Sequence, residues 1–220
     1  MSIRPIKSLS EATPTMEGAG VHLHRVFGFG DTTEFDPFLM MDDFRNDDPQ
    51  KYASGFPWHP HRGIETITYV LKGQVEHADS LGNRGVLSDG DVQWMTAGSG
   101  IIHQEMPEGN AQGQMHGFQL WANLPRDQKM CTPRYQDIKA PDINSLTDDD
   151  GTHIRVIAGN YRGYYGLVDG IDTNPSYLDV TLLPNIKKQF PFETRRQGFA
   201  YIFEGSAHFG NSSAPFDVNV

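Results

Sequence analysis

Two short segments carry side chains of the kinds that bind transition metals. His59 and His61 are separated by one residue, and so are His103 and Glu105. In an extended chain, residues i and i+2 point to the same side. Glu65 is therefore predicted to share the face of His59 and His61. If the two segments are neighbouring strands, three imidazoles and one carboxylate meet at one point. That set of ligands suits Fe, Mn, Co, Ni, Cu or Zn and does not suit Ca or Mg.

These residues predict a metal ion with coordination positions that the protein leaves free. Four protein ligands on an octahedral ion leave two positions free, as oxygen chemistry or a chelating substrate requires, whereas a closed tetrahedral zinc site would be structural. The alternative is that the histidines are ordinary polar residues on strands. The isolated pair His22 and His24 is interpreted in that way, as the face of a surface strand. Two same-face pairs beside glycine-rich turns favour a metal site.

The elements that must position these side chains are predicted to be β-strands. Residues 66–71 are β-branched, aromatic or aliphatic and are followed by Lys72 and Gly73, a pattern typical of a strand that enters a turn. Strands are predicted in the first half at residues 21–27, 66–71, 74–78, 91–95, 101–106 and 115–124. A second series is predicted at residues 154–158, 177–183 and 199–203. The many glycines and prolines indicate tight turns, so the predicted class is all-β.

The two series of strands predict two domains joined by residues 133–152, which are rich in turn-forming and acidic side chains. Residues 68–73 resemble residues 200–205, which favours an internal duplication. The histidine pair of the first half has no counterpart in the second, where Pro191, Glu193 and Gln197 occupy the corresponding positions. We therefore expect a metal site in the first half alone. The second barrel is expected to be incomplete, because the chain ends at Val220.

Composition excludes some classes of partner. Of 220 residues, 18 are Lys or Arg and 28 are Asp or Glu, which gives a net charge of −10. A phosphate backbone is bound by clustered cations, so direct nucleic-acid binding is not expected. Cys131 is the one cysteine, which excludes an intrachain disulfide. With no apolar stretch of the roughly 20 residues that a membrane span needs, the expected location is the cytoplasm, or the nucleus in a eukaryote.

The motifs around the histidines resemble a known family. Residues 59–73 resemble the first cupin motif, and residues 90–107 and 117–125 are similar to pirins in particular. The general second cupin motif is Pro-x-Gly-x-x-His, whereas here four residues separate Gly98 from His103. That departure agrees with the pirin subgroup.

The resemblance implies a bicupin, that is, two tandem cupin-type β-barrels of the double-stranded β-helix kind. Residues 1–132 would form the metal-binding barrel and residues 153–220 a partial barrel without metal. One divalent metal is implied, Fe(II) first, with Mn, Co, Ni, Cu or Zn as alternatives. Its ligands are predicted to be His59, His61, His103 and Glu105.

The resemblance also bears on neighbouring residues. Many cupins use a glutamate at the position of Glu65, but pirins have one at that of Glu105, so Glu65 is predicted to lie behind the ligands and orient a histidine or Arg62. Arg62 could instead be a surface charge. Gln114 and His116 are predicted either to line the same cavity or to be plain strand residues.

Pirin-like proteins are associated with quercetin 2,3-dioxygenase activity. The resemblance therefore implies a flavonol-like aromatic substrate and O2. Glu105 is predicted to be a ligand and, if it detaches from the metal, the catalytic base. The alternative is a non-enzymatic iron protein that senses redox state and regulates protein partners. A zinc isomerase or a sugar-binding cupin is a further alternative, because one fold hosts many chemistries.

Overall fold

The computed structural model describes residues 3–171, 174–210, 212 and 214–219, and it confirms the all-β prediction. The strands of the first half are β1 (Thr13–Glu17), β2 (Val21–Phe27), β3 (Phe38–Asp43), β4 (Phe56–His61), β5 (Ile64–Lys72), β6 (Gln74–Asp79), β7 (Arg84–Leu87), β8 (Val92–Thr96), β9 (Ile101–Glu108), β10 (His116–Asn123) and β11 (Arg134–Ile138). Those of the second half are β12 (Ser145–Thr147), β13 (His153–Ala158), β14 (Asn160–Tyr161), β15 (Tyr164–Tyr165) and β16 (Tyr177–Thr181). The helical pieces are the helix α1 (Thr32–Phe35) and 3-10 turns at Phe29–Asp31, Pro49–Lys51 and Ala140–Asp142.

Two antiparallel sheets build the first half. One has the strand order β1-β2-β3-β10-β5-β8-β11 and the other the order β4-β9-β6-β7. Side chains join them across a common interior: the Thr68 hydroxyl of β5 lies 3.0 Å from Glu105 of β9, and the Gln93 amide of β8 lies 2.8 Å from His77 of β6. The interior between the two sheets is therefore partly polar and hydrogen-bonded.

Strand β5 separates this interior from the second half of the chain. Its side chains alternate, so Thr66 and Thr68 point inward while Ile67 and Tyr69 point outward. The outward side chains belong to a buried apolar cluster that also contains Ile157 of β13. The large sheet is thus covered on both faces.

The second half has less regular structure than the sequence predicts. Strands β13 and β16 confirm two predicted strands and form a sheet in the order β12-β13-β16. The strand predicted at residues 199–203 is wrong, since these residues form no strand. Their backbone pairs elsewhere, because Arg45 donates to the Phe203 carbonyl and the Asn219 amide donates to that of Ile202. The similarity of residues 68–73 to 200–205 therefore does not extend to local structure.

The aromatic rings of this irregular segment are what attach it to the first half. Phe199, Tyr201 and Phe203 pack against the apolar cluster on the outer face of the large sheet. The ring centroids of Phe118 and Phe203 are 5.2 Å apart, in an edge-to-face arrangement, which adds specific geometry to the burial of apolar area. The two halves consequently share one core.

Residues 133–152, predicted as a linker, carry regular structure. Strand β11 pairs with β8 and so belongs to the large sheet, while β12 pairs with β13 in the second half. The change from one half to the other falls between these two strands. Among the described residues, no helix has the length and apolar character needed to cross a bilayer.

Candidate metal centre

Strands β4 and β9 bring the predicted ligands together. They pair antiparallel, with His59 opposite His103. Strand β4 is the edge of its sheet, which accommodates Pro57 and Pro60 because an edge strand can lack amide donors. Since side chains alternate along a strand, His61 follows His59 on one face and Glu105 follows His103.

The three imidazoles converge on one point. The Nε2 atom of His59 lies 3.0 Å from Nε2 of His61 and 3.0 Å from Nε2 of His103. One ligand nitrogen from each of the three residues falls within 4.8 Å of the others. Metal–nitrogen bonds of about 2.1 Å at right angles place two nitrogens about 3.0 Å apart. The two separations from His59 therefore fit ligands on one ion, and the three nitrogens together form one group that could hold it.

Glu105 lies beside this group. Its Oε2 atom is 3.8 Å from Nε2 of His103, while its Oε1 accepts a hydrogen bond of 3.0 Å from the Thr68 hydroxyl. The residue is 7% exposed. The carboxylate thus offers one oxygen to the imidazoles and has the other engaged by the large sheet.

The protonation states of the histidines suit metal binding. Burial, reinforced by the neighbouring imidazoles, lowers the pKa of His61 to about 4 and that of His103 to about 3. Both rings are therefore neutral near pH 7, as a metal ligand must be. In His59, Nδ1 donates to the Pro57 carbonyl at 2.8 Å. This hydrogen bond leaves the lone pair on Nε2, which points at the other two rings.

The same lowered pKa values predict acid sensitivity of the metal-free protein. Unfolded histidine takes up a proton near its ordinary pKa of 6.5, whereas folded His103 stays neutral down to about pH 3. The unfolded state thus binds more protons in this window, so the free energy of unfolding should fall as pH falls. At pH 5 the expected loss is about 2 kcal/mol from His103. Urea unfolding of chelator-treated protein at pH 7 and pH 5 measures it.

A variant isolates the contribution of this one residue. His103→Gln removes the titrating ring, so its stability should decline less between pH 7 and pH 5 than that of the wild type. An equal decline in both proteins would show that His103 does not titrate as described.

Glu65 does not share the face of His59 and His61, so that part of the sequence prediction is wrong. Gly63, with φ of 69°, ends β4 and begins β5 in the other sheet, which breaks the alternation on which the prediction relied. On β5, Glu65 has the parity of Ile67 and not that of Thr68. Its Oε1 accepts a 2.8 Å hydrogen bond from Thr96. Its carboxylate therefore lies on the outer face, away from the imidazoles.

The remaining three predicted residues are also not gathered at the imidazoles. Arg62 is exposed and its guanidinium contacts the sulfur of Met130, which fits a surface charge. Gln114 lies in a loop, where its amide accepts from Asn110 at 3.4 Å. Arg62 thus has the position of a surface charge, whereas Gln114 lies neither at the imidazoles nor on a strand.

His116 belongs to the junction of the two halves. Arg45 hydrogen-bonds its Nε2 and its ring lies 6.0 Å from that of Phe203. A strand bulge between His116 and Gly117 accompanies this outward direction. The prediction that His116 lines the metal cavity is therefore wrong.

Residues that the sequence did not single out complete the surroundings of the imidazoles. The ring of Trp121 lies 4.9 Å from that of His61, and Phe29 lies 5.8 Å from Trp121. From the opposite sheet, the Thr68 hydroxyl contacts Glu105 and also the side chain of Gln119. Alternation along β5 and β10 predicts which side chains share a face, but only the pairing of the sheets shows what that face contacts.

Comparisons with known proteins agree with these features. The sequence model of the Pirin family matches residues 20–122. A pirin-like protein of Caulobacter vibrioides is 41% identical over 214 residues, covering 97% of this chain and 77% of that protein. Mouse (Mus musculus) pirin is 39% identical over 199 residues, covering 90% and 66%. The crystal structure of a quercetin 2,3-dioxygenase from Acinetobacter baumannii superposes with a TM-score of 0.78 at 30% identity, covering 95% of this chain and 74% of that one.

Proposed function

The chain belongs to the pirin family, and from that premise we propose that it is a metal-dependent dioxygenase that acts on a flavonol-like aromatic substrate. The observation that carries the proposal is the convergence of His59, His61 and His103, with Glu105 beside them, on one small volume. The similarity to a quercetin 2,3-dioxygenase supports the reaction class.

The proposed metal is Fe(II), held by the three imidazoles and Glu105. Nitrogen ligands with one carboxylate also accept Mn, Co, Ni, Cu or Zn. When bound, such an ion supplies Lewis-acid chemistry toward a substrate oxygen and, if it is redox-active, electron exchange with dioxygen.

The residues around the imidazoles suit a flat, aromatic ligand. Trp121 contacts His61, and Phe29 continues the aromatic surface outward with 62% of its area exposed. Aromatic rings bind other rings by stacking or edge-to-face contact. We infer that Trp121 and Phe29 bind the ring system of the substrate and orient its oxygen atoms toward the imidazoles.

Glu105 is proposed to bind the metal through Oε2 and, when it detaches from the metal, to accept the proton of the substrate hydroxyl with the same oxygen. Its Oε1 is occupied by the Thr68 hydroxyl, so Oε2 is the oxygen that faces the imidazoles. A carboxylate oxygen in this position is within reach of a group bound there, as a general base must be.

Oxygen uptake over a panel of flavonols tests the proposal. Fe(II)-loaded protein should consume O2 with quercetin, and chelator-treated protein should not. Trp121→Ala should raise KM for quercetin about tenfold, because a buried aromatic contact contributes on the order of 1 kcal/mol or more, while bound iron stays near one ion per chain. Loaded protein that consumes no oxygen with any flavonol would contradict the proposal. It would favour the alternative of a regulator that acts through protein partners.

A further inference from the structure

We propose that Thr68 and Gln119 form a positioning pair that selects which oxygen of Glu105 faces the three imidazoles. The inference rests on the metal centre proposed above and assigns it two residues of the opposite sheet. Neither residue touches the imidazoles in this arrangement. Both are therefore positioning residues and not catalytic ones.

Thr68 lies at the centre of the contact between the sheets. It occupies the middle of β5, is 2% exposed and points into the interior. Its hydroxyl is 3.0 Å from Oε1 of Glu105 and 2.8 Å from the side-chain oxygen Oε1 of Gln119. Gln119 stands directly opposite Thr68 in the pairing of β10 with β5. The three side chains therefore form one continuous hydrogen-bonded row.

The direction of this row follows from proton counting. A threonine hydroxyl has one proton, so it cannot donate to Glu105 and to a Gln119 carbonyl oxygen at once. An ionised carboxylate only accepts, whereas the two ends of an amide are interchangeable in a structure without hydrogens. The row is satisfied when the Gln119 amide is turned over, so that its nitrogen donates to Thr68 and Thr68 donates to Oε1 of Glu105. In that order, each proton has one acceptor.

The apolar surroundings of these three side chains strengthen the hydrogen bond from Thr68 to Glu105. Phe44, Tyr52, Phe56 and Val75 line a small interior cavity together with Thr68, Gln119 and Glu105. In such apolar surroundings a hydrogen bond is stronger than in water, and a carboxylate oxygen without a donor is costly. Oε1 is thus held at Thr68, which leaves Oε2 directed toward His103.

The function of the pair is to fix Glu105 as a ligand through one defined oxygen. Groups that orient a metal ligand typically change metal affinity by about 10- to 100-fold when they are removed. A carboxylate released from Thr68 can rotate and present either oxygen, or neither. The pair should therefore affect the strength and the geometry of metal binding and not merely the stability of the fold.

Cobalt binding to metal-free protein tests the inference. Thr68→Val keeps the shape of the side chain and removes the donor, so Co(II) affinity, measured by competition with a chelator, should fall by about 10- to 100-fold. The visible Co(II) spectrum should change because the carboxylate ligand is no longer fixed. Thr68→Ser, which restores the hydroxyl, should recover both affinity and spectrum.

Thr96→Val is the matched control. Thr96 also donates a buried hydrogen bond to a glutamate, Glu65, but on the outer face of the same sheet. Its loss should lower stability to urea as much as the loss of Thr68 does and leave Co(II) affinity unchanged. Equal Co(II) affinity and spectra for Thr68→Val and the wild type would overturn the inference while the metal centre stands. A wild-type protein that binds no Co(II) would overturn both.

A further variant tests the assigned direction of the hydrogen bonds from Gln119 to Thr68 and from Thr68 to Glu105. In Gln119→Met the Thr68 hydroxyl still reaches Glu105, so Co(II) affinity should fall less than in Thr68→Val. A loss as large as that of Thr68→Val would contradict the assigned direction of the protons.

Discussion

His103→Ala is expected to abolish stable metal binding and, with it, oxygen consumption. His103 is 1% exposed, and its Nε2 lies 3.0 Å from that of His59. Alanine removes one of three converging imidazoles and lets water reach the other two. Metal affinity should therefore fall by more than about 100-fold, beyond the range seen when only a supporting residue is lost. Metal analysis of protein purified without added metal, followed by oxygen uptake with quercetin, measures both effects.

His22→Ala is the control for this substitution. His22 and His24 form the second His-x-His pair of the chain, on strand β2, and His22 is exposed. Its removal should change neither metal content nor oxygen uptake. His103→Ala protein that retained one metal ion per chain with wild-type affinity would show that the three imidazoles are not the site.

Arg45→Met is expected to destabilise the protein by about 3 kcal/mol, because it leaves a buried carboxylate without its cation. Asp43 is 1% exposed and lies 3.2 Å from the Arg45 guanidinium. The same guanidinium donates to the Phe203 carbonyl at 2.7 Å, and the Tyr201 hydroxyl donates to Asp43 at 2.9 Å. Loss of Arg45 should therefore loosen the segment around residue 203 from the large sheet. Urea unfolding and limited proteolysis measure the two consequences.

Arg25→Met provides a comparison within the first half. Arg25 of β2 makes a bidentate contact with Asp42 of the adjoining strand β3, and both distances are 2.8 Å. Asp42 is also buried. This substitution should also lower stability, but it should not accelerate cleavage near residue 203. Metal content should stay at the wild-type level in both variants. Identical proteolysis of the two would indicate that Arg45 does not join the halves.

The faces of the strands that carry the predicted ligands could be predicted from the sequence because they depend on local periodicity. Successive side chains of a strand point to opposite sides, so His59 with His61, and His103 with Glu105, had to share faces wherever each segment was extended. The all-β class followed from β-branched and aromatic runs interrupted by glycine and proline. These properties depend on neighbours in the chain and not on the final packing.

The sequence predictions were wrong where local strand patterns were applied without knowing how the strands end, pair or pack. The parity of Glu65 was extended across Gly63, whose positive φ of 69° turns the chain into a different sheet. Residues 199–203 have the composition of a strand, but their backbone groups bond to Arg45 and Asn219. For His116 the sequence left the metal cavity and a plain strand position as alternatives, and the strand presents its side chain away from the cavity.

The sequence alone thus determined the two same-face pairs of predicted ligands, the β character of the chain and the absence of a histidine pair in the second half. Only the tertiary structure decided that Thr68 contacts both Glu105 and Gln119, that Trp121 adjoins His61, and that Arg45 and His116 join the halves. The physical reason is that alternation fixes the direction of a side chain relative to its own strand. The contacts of that side chain depend on strand pairing and sheet packing between residues that are far apart in the chain.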